Sequence, residues 1–258
     1  MSRIIVITSG KGGVGKTTTA VNLGAALNYF GEKVTIIDAN LTTPNIGIHF
    51  GAPVVPVNLN HVLLDKAELE EAVYEHESGT KIIPASLSMK DFRKMKQGKL
   101  KDLKEKFKKL SDYVILDSAA GLGEEAISAI EVADELIIVT NPEMPAITDA
   151  LKTIKIAEEM KKPILGVIIT RVKKNKFEMS PETVKEMLEI PILGMVPEDD
   201  MIQASLNARD AVLHVYPKTK SSRAYKEIAA KLTGKKYDSN KDKEDFFEFI
   251  VRKLTKKY

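Results

Sequence analysis

A glycine- and lysine-rich stretch near the start of the chain restricts the possible folds more than any other feature. Residues 9–24 read SGKGGVGKTTTAVNLG. They follow the apolar run Arg3–Thr8, which is typical of a buried strand, and they lead into a helical pattern that ends at Gly31. A strand, a tight glycine loop and a helix in this order indicate a phosphate-binding loop of the pattern GxxxxGK[ST].

The motif predicts how this phosphate loop (residues 10–17) would hold a nucleotide. Its glycines let backbone N–H groups curl around phosphate oxygens, and the helix N-terminus adds partial positive charge. The Lys16 amine would reach the β- and γ-phosphates, and the Thr17 hydroxyl would bind Mg²⁺. We therefore expect ATP or ADP and Mg²⁺ as cofactors. The predicted nucleotide-binding residues of this segment are Gly10, Lys11, Gly12, Gly13, Val14, Gly15, Lys16, Thr17 and Thr18.

Six further apolar runs alternate with helical patterns along the chain. Nearly all of these runs are continuously apolar, which is typical of parallel strands covered on both faces. We predict an α/β fold of the P-loop NTPase type, with a mostly parallel sheet flanked by helices on both faces. The predicted strands after the first are Lys33–Asp38, Lys81–Pro84, Tyr113–Asp117, Glu135–Thr140, Ile164–Thr170 and Ile192–Val196.

Two aspartates stand at the ends of predicted strands, where an open α/β sheet binds its ligands. Asp117 closes YVILD and would hold Mg²⁺ through water, and Asp38 closes VTIID as a second carboxylate. Either residue alone could instead cap a helix or a turn. Because the phosphate loop is present, we predict a metal site formed by Thr17, Asp38 and Asp117.

The composition excludes several other classes of protein. The 258 residues include no cysteine, which excludes a disulfide framework, a thiolate zinc site and a cysteine-held iron–sulfur cluster. No apolar run approaches the roughly 18 residues that span a bilayer, and no signal-peptide pattern opens the sequence. We therefore expect a cytoplasmic protein. A net charge of +3 does not by itself require a nucleic-acid partner.

The residues KGGVGKTT at Lys11–Thr18 resemble the deviant Walker A motif of the MinD/ParA family of P-loop ATPases. The resemblance covers nearly the whole chain and is strongest for the MinD branch, particularly its archaeal members. It implies a Mg²⁺-dependent ATPase that forms a homodimer around ATP. The other segments that carry it are DSAAG at 117–121, TNPEMPAITDA at 140–150, GMVPEDDMIQASLNARDAV at 194–212 and SSRAYKEIAAKLTG at 221–234.

The resemblance also implies roles for residues outside the loop motif. Lys11 would cross the dimer interface to the partner's nucleotide, and Asp149 would pair with this lysine. Arg171, Pro197 and Glu198 would lie against the base. The alternatives are a solvated loop lysine, an aspartate favoured by a helix N-terminus, and ordinary loop residues.

Asn40 departs from the family pattern. The family usually has Asp-x-Asp after its second strand, and the second aspartate helps to place the attacking water, but this chain has DANLTTPN. An amide can orient water but cannot accept its proton. We therefore expect slow hydrolysis. The predicted catalytic residues are Lys11, Lys16, Asp38, Asn40 and Asp149.

The composition of the chain changes after Gly234. We predict an ATPase domain over 1–234, a polar linker over 235–243 and an amphipathic helix over 244–258. This helix is typical of segments that lie in a membrane interface and resembles the membrane-targeting sequence of MinD; the alternative is a helix docked on the body of the protein. Its predicted apolar side consists of Phe246, Phe247, Ile250, Val251 and Leu254.

Three functions fit these features. The first is a MinD-like spatial regulator of the cell-division site, which would act as an ATP-bound dimer on anionic membrane with an activating or effector protein. The second is a ParA-like DNA-partitioning ATPase, for which the lysine-rich stretch Arg93–Leu110 would have to supply a basic surface. A solvated helix face explains that stretch as well, with Leu100, Leu103, Phe107 and Leu110 as its buried stripe. The third is a nucleotide-dependent adaptor with very slow hydrolysis.

Overall fold

The computed structural model describes residues 2–88, 99–173, 175–240 and 242. Its strands are β1 Arg3–Thr8, β2 Val34–Ala39, β3 Tyr74–Glu75, β4 Lys81–Ile83, β5 Tyr113–Ser118, β6 Glu135–Thr140, β7 Ile164–Val172 and β8 Ile192–Pro197. They form a single sheet in the order β3-β4-β2-β5-β1-β6-β7-β8. All neighbouring strands are parallel except β3 and β4. The predicted α/β fold with a mostly parallel sheet is confirmed.

Helices cover both faces of this sheet. Their bounds are α1 Lys16–Tyr29, α2 Ile46–His49, α3 Leu59–Leu63, α4 Lys99–Asp102, α5 Lys104–Phe107, α6 Glu124–Val132, α7 Met144–Glu159, α8 Pro181–Leu188, α9 Asp200–Asn207, α10 Val212–Val215 and α11 Lys220–Thr233, with a 3₁₀ helix at Leu69–Ala72. Among the described residues, no helix is both long and apolar enough to cross a bilayer.

The alternation of side chains along β1 explains why there are two cores. Ile4 and Val6 pack on one face with α6 and α7, whereas Ile5 and Ile7 pack on the other face with α1 and α11. Successive side chains of a strand point to opposite faces, so an apolar strand needs cover on both sides. The central strand is therefore buried from Ile4 to Thr8, and the polar residues at its carboxyl end mark the edge where a site can form.

The predicted lysine-rich helix differs from the structure in one respect. Residues 93–98 lie outside the described residues, and the remainder forms the two short helices α4 and α5 rather than one continuous helix. The break lies at Leu103, whose backbone N–H bonds to the carbonyl of Leu100 in a tighter 3₁₀ pattern. The predicted stripe is confirmed, because Leu100, Leu103 and Phe107 are buried and Leu110 is half-buried.

Helix α11 ends at Gly234, which caps it in the left-handed conformation with φ 70°. The described part of the predicted linker contacts the body: Lys235 pairs with Glu32 at 2.6 Å, and the ring of Tyr237 lies 6.0 Å from that of Phe30. The predicted helix over 244–258, with its apolar residues Phe246, Phe247, Ile250, Val251 and Leu254, lies outside the described residues.

Candidate functional site

The phosphate loop connects β1 to α1 and turns sharply twice. Gly13 and Gly15 have φ values of 77° and 91°, a region that glycine occupies without strain. Gly15 also stands at the N-cap of α1 and has no side chain to pair with the first N–H groups of the helix. Those N–H groups and the helix dipole therefore provide a place for an anion such as a phosphate.

The two lysines of the loop have different surroundings. Lys16 is only 8% exposed, and burial lowers the pKa of its amine while the nearby Asp117 carboxylate opposes that shift. Lys11 is exposed on the outer side of the loop. Lys16 thus faces the interior of its own chain, and Lys11 faces solvent.

Thr17 and Asp117 are in direct contact. The Thr17 hydroxyl donates a hydrogen bond of 2.6 Å to Oδ2 of Asp117. The other carboxylate oxygen, Oδ1, is buried and has no hydrogen-bond partner among the described residues. Burial raises the pKa of Asp117 to about 6, although the Thr17 hydroxyl and Lys16 act in the opposite direction. A buried oxygen without a partner costs free energy unless a ligand supplies one.

Asp38 lies beside Asp117, because the two residues are paired in the register of β2 and β5. Its oxygens accept backbone hydrogen bonds from Asn40 (3.2 Å), Asn45 (2.8 Å) and Ile46 (2.9 Å). Burial raises the pKa of Asp38 well above its usual range, and the charge of Asp117 adds to the effect. Two adjacent buried carboxylates repel each other unless a cation or a proton lies between them.

The donor set at this edge fits magnesium. Mg²⁺ prefers oxygen ligands, keeps several waters and takes one or two carboxylates together with phosphate oxygens. Thr17, Asp38 and Asp117 supply a hydroxyl and two carboxylates, and Oδ1 of Asp117 is the buried atom that needs a partner. When bound there, the cation would offset the repulsion between the carboxylates and neutralise phosphate charge.

The side chain of Asn40 is occupied within its own loop. Its amide nitrogen donates to the carbonyl of Thr43 at 2.7 Å, and its amide oxygen accepts from the backbone N–H and hydroxyl of the same Thr43 at 3.2 and 3.1 Å. The residue is 8% exposed. In this arrangement, Asn40 closes the 40–43 turn beside Asp38, and both ends of its amide already have partners.

Asp149 lies against the phosphate loop through its backbone. A Cβ atom added to Gly10 would lie 2.1 Å from the carbonyl oxygen of Asp149, so only glycine allows this approach. The Asp149 carboxylate pairs with Lys152 at 3.1 Å within the same helix. The structure therefore brings the backbone of Asp149 beside the loop that carries Lys11. Within the single chain, the Asp149 carboxylate is paired with Lys152.

A cleft of about 310 Å³ opens between the start of α1 and the carboxyl ends of β7 and β8. It brings together Arg171, Pro197 and Glu198, the three residues predicted to face the base, with Gly15 and Thr18 of the loop region. Arg171 holds a left-handed backbone with φ 55°, which is rare for a residue with a side chain. The cleft has the position expected for a base and ribose next to bound phosphates.

Several residues of this cleft were not predicted from the sequence. The Thr170 hydroxyl donates to the carbonyl of Val14 at 2.6 Å and so ties β7 to the phosphate loop. The sequence offered one indication of this role: Thr170 is a polar residue at the end of a predicted apolar strand. Burial lowers the pKa of His49 to about 4, which keeps its ring neutral. The other missed lining residues are Val196, Asp199, Asp200, Ile202, Gln203, Leu206 and Tyr225.

Comparisons with known proteins agree with this geometry. The family model described as "ParA: NUBPL iron-transfer P-loop NTPase" matches residues 1–233. The chain is 39% identical over 256 residues to an uncharacterized ATP-binding protein of Methanocaldococcus jannaschii, with 98% of this chain and 97% of that protein covered. The chain belongs to the MinD/ParA family of P-loop ATPases.

Two solved structures place this MinD/ParA ATPase near MinD. The septum site-determining protein MinD of Pyrococcus horikoshii, complexed with Mg-ADP, is 33% identical with a TM-score of 0.86, over 90% of this chain and 96% of that one. MinD in the MinC:MinD cell division protein complex of Aquifex aeolicus is 30% identical with a TM-score of 0.79, over 92% and 98%. Unlike a thiolate-based iron carrier, this MinD/ParA ATPase has no cysteine.

Proposed function

We propose that this ATPase binds Mg-ATP and forms a homodimer with the nucleotides sandwiched between the subunits. The observation that carries the proposal is the opposite placement of the two loop lysines. Lys16 is buried toward Asp117 and would serve the phosphates of its own chain. Lys11 is exposed and would contact the γ-phosphate bound to the second subunit, as an arginine finger does in trans. Asp149, beside the same loop, would pair with Lys11 across this interface.

The cofactors proposed are ATP, ADP and Mg²⁺. The related MinD of Pyrococcus horikoshii was solved with Mg-ADP, and the oxygen donors of Thr17, Asp38 and Asp117 suit the same ion. Arg171, Pro197 and Glu198 would enclose the base in the cleft beside the loop. Lys16 would offset phosphate charge, and the N–H groups of the phosphate loop would orient the phosphates.

Hydrolysis would be slow. The position that holds a water-placing aspartate in the family pattern is Asn40, and both ends of its amide pair with Thr43. The attacking water would therefore lack a base at this position and would depend on positioning by the rest of the site. The same observation favours, as a second candidate, an adaptor that uses the nucleotide-bound dimer mainly as a docking surface.

We further propose that the dimer works at an anionic membrane surface as a spatial regulator, in the manner of MinD at the division site. Residues 1–234 would form the ATPase domain, 235–243 a linker and 244–258 a membrane-binding amphipathic helix. One such helix binds lipid weakly, whereas two on a dimer bind by avidity. The protein would then be cytoplasmic and join the membrane peripherally when ATP is bound.

A partner protein is also part of this proposal. MinD of Aquifex aeolicus forms a complex with MinC, so an effector or activating protein that docks on the ATP-bound dimer would fit this chain. DNA is the less favoured surface, because several lysines of the 99–108 segment already have acidic partners. Lys104 and Lys108 pair with Asp134 at 2.8 and 3.5 Å, and Lys106 pairs with Glu68 at 2.9 Å.

Light scattering with a non-hydrolysable ATP analogue tests the dimer. We expect the wild-type mass to double on addition of the analogue and Lys11→Ala to remain monomeric while still binding nucleotide. Lys185→Ala is the matched control, because Lys185 is an exposed lysine on α8 outside the phosphate loop. A Lys11→Ala dimer of normal affinity would refute the role in trans.

Sedimentation with anionic liposomes or duplex DNA tests the surface. With ATP, the full chain should pellet with liposomes, and a chain lacking Asp245–Tyr258 should stay in solution while binding ATP normally. Phe247→Glu and Ile250→Glu should reduce pelleting in the same way, because each places a charge on the apolar side. Retained pelleting of the shortened chain, or pelleting of the full chain only with DNA, would favour the ParA-like function.

A further inference from the structure

Two histidines and an aspartate from distant parts of the chain meet near the β3 edge of the sheet. His76 follows β3, Asp210 lies between α9 and α10, and His214 lies on α10. Nδ1 of His214 is 2.7 Å from Oδ1 of Asp210, and Nε2 of His76 is 3.6 Å from the same oxygen. One ligand atom from each residue lies within 4.8 Å of the other two. Nothing in the proposed ATPase chemistry uses this cluster.

Neighbouring groups hold the three side chains in place. The Asp210 oxygen also accepts the backbone N–H of Ala211 at 2.7 Å. Nδ1 of His76 lies near two groups of Ser78: the backbone N–H, which donates to it at 3.3 Å, and the hydroxyl at 3.0 Å. With Nδ1 accepting, Nε2 carries the ring proton toward Asp210, and a cation bound at Nε2 would displace that proton. The ring of Phe50 lies 5.1 Å from the ring of His76. A hydrogen-bonding group at the other ring nitrogen usually accompanies a histidine that binds metal, and the Ser78 hydroxyl stands in that position for His76.

The two imidazole rings of the cluster are nearly parallel, with centroids 5.7 Å apart and an interplanar angle of 9°. A single divalent cation placed among the three ligand atoms would satisfy the carboxylate and both nitrogen lone pairs at once. This arrangement has a different chemistry from the oxygen-only site formed by Thr17, Asp38 and Asp117.

We propose that His76, Asp210 and His214 form a binding site for a borderline transition-metal cation such as Zn²⁺. Two imidazole nitrogens and one carboxylate oxygen suit Zn²⁺, Co²⁺ or Ni²⁺ rather than Mg²⁺, and three protein ligands leave a position for water. Ligand atoms of a tetrahedral zinc site lie about 3.3 Å apart. The pair at 3.6 Å is close to that value, and the pair at 2.7 Å reaches it by a small side-chain rotation.

The cluster is accessible to an ion from solvent. The side chains of His76, Asp210 and His214 are 19%, 23% and 22% exposed. A bound ion would join the turn after β3 to the end of α9, the helix whose residues Asp200 and Gln203 line the base cleft. Because the ligands come from segments far apart in sequence, the ion would stabilise the folded chain over the unfolded one.

Metal titration of the full-length protein tests the site. After treatment with EDTA and transfer into buffer with millimolar Mg²⁺, Zn²⁺ is titrated by calorimetry and Co²⁺ by visible absorption. We expect one equivalent of either ion to bind in the micromolar range and Co²⁺ to give the d–d bands of a nitrogen-containing site. His76→Gln and His214→Gln should each weaken binding by about tenfold or more.

His61→Gln is the matched control for these variants. His61 lies on α3 outside the cluster, and glutamine can replace it as the acceptor for the N–H of Asn58. Saturating Zn²⁺ should raise the Tm of wild type and His61→Gln by about 5–10 °C but leave the two cluster variants within about 2 °C. Failure of wild type to bind a Zn²⁺ equivalent, or full affinity in His214→Gln, would leave the cluster a hydrogen-bonded ion pair and overturn the proposal.

Discussion

The two halves of the phosphate loop differ in what surrounds them. In the outer half, residues 10–13, positions 11–13 are exposed. In the inner half, residues 14–17, Val14 and Lys16 are buried. Both halves contain a lysine on a glycine-rich backbone, so their chemistry in isolation is the same. In the proposed dimer, burial would separate the roles of the two lysines: the inner one would serve the chain's own ligand, and the outer one would be available to a second molecule.

The inner half of the loop is also the half that meets the carboxylates. Thr17 bonds to Asp117, and the amine of Lys16 lies close enough for the Asp117 charge to affect its pKa. The outer half is held from outside by the backbone of Asp149, against which Gly10 packs. The inner half thus carries the groups that would meet a cation and a phosphate. The outer half is fixed in position by close packing against Asp149.

Replacement of the inner lysine should have the largest effect. Lys16→Ala removes a buried cation that would offset phosphate charge, and we expect it to weaken ADP binding by about 100-fold or more. Lys11→Ala should change the ADP affinity of the monomer by less than about threefold, since its side chain faces solvent. Fluorescent-ADP titration measures both. Equal losses of ADP affinity in Lys16→Ala and Lys11→Ala would contradict the proposal that the two lysines have different roles.

Substitution of Asp117 should mainly change the response to metal. Asp117→Asn keeps the shape of the side chain but removes its charge, and we expect about 10- to 100-fold more Mg²⁺ to be needed for half-maximal ATP turnover. Nucleotide affinity measured in EDTA should be similar in the variant and in wild type, because the carboxylate has no ion to hold there. An unchanged Mg²⁺ requirement would remove Asp117 from the metal site.

Gly10→Ala tests the packing of the outer half. The new methyl would meet the Asp149 carbonyl oxygen at 2.1 Å and its carbon at 2.5 Å, so the backbone must move. We expect the free energy of unfolding to fall by about 2 kcal/mol. Gly12→Ala is the matched control, because its methyl would meet only the Ala120 side chain at 3.7 Å. Urea unfolding measures the free energy of unfolding of both variants. Similar values would show that Gly10 does not pack tightly against the backbone of Asp149.

Asn40→Asp should increase ATP turnover by about tenfold, a smaller change than the loss expected for Lys16→Ala. The carboxylate could accept a proton from the attacking water, but it would lose the hydrogen bond that the amide nitrogen donates to Thr43. Steady-state phosphate release measures the rate. A turnover equal to or below that of wild type would mean that this position does not limit hydrolysis.

The strands and the phosphate loop could be predicted from short-range patterns. Each predicted strand is present, because continuous apolar runs between glycine- and proline-rich loops encode buried strands locally. The bounds of β1 and β6 are as predicted, and the ends of the others differ by no more than two residues. Strand β3 was missed because two residues carry no periodicity. The break at Leu103 was missed because the apolar spacing of α4 and α5 continues through it.

Local sequence patterns were enough to predict the fold class, the phosphate loop and the two aspartates that follow buried strands. Three features of the site depend on tertiary packing: the burial of Lys16, the register of Asp38 with Asp117 and the hydrogen bonds between Asn40 and Thr43. The meeting of His76 with Asp210 and His214 depends on it as well. The physical reason is range: propensity and periodicity act within a few turns, whereas strand order and side-chain burial depend on how distant segments pack.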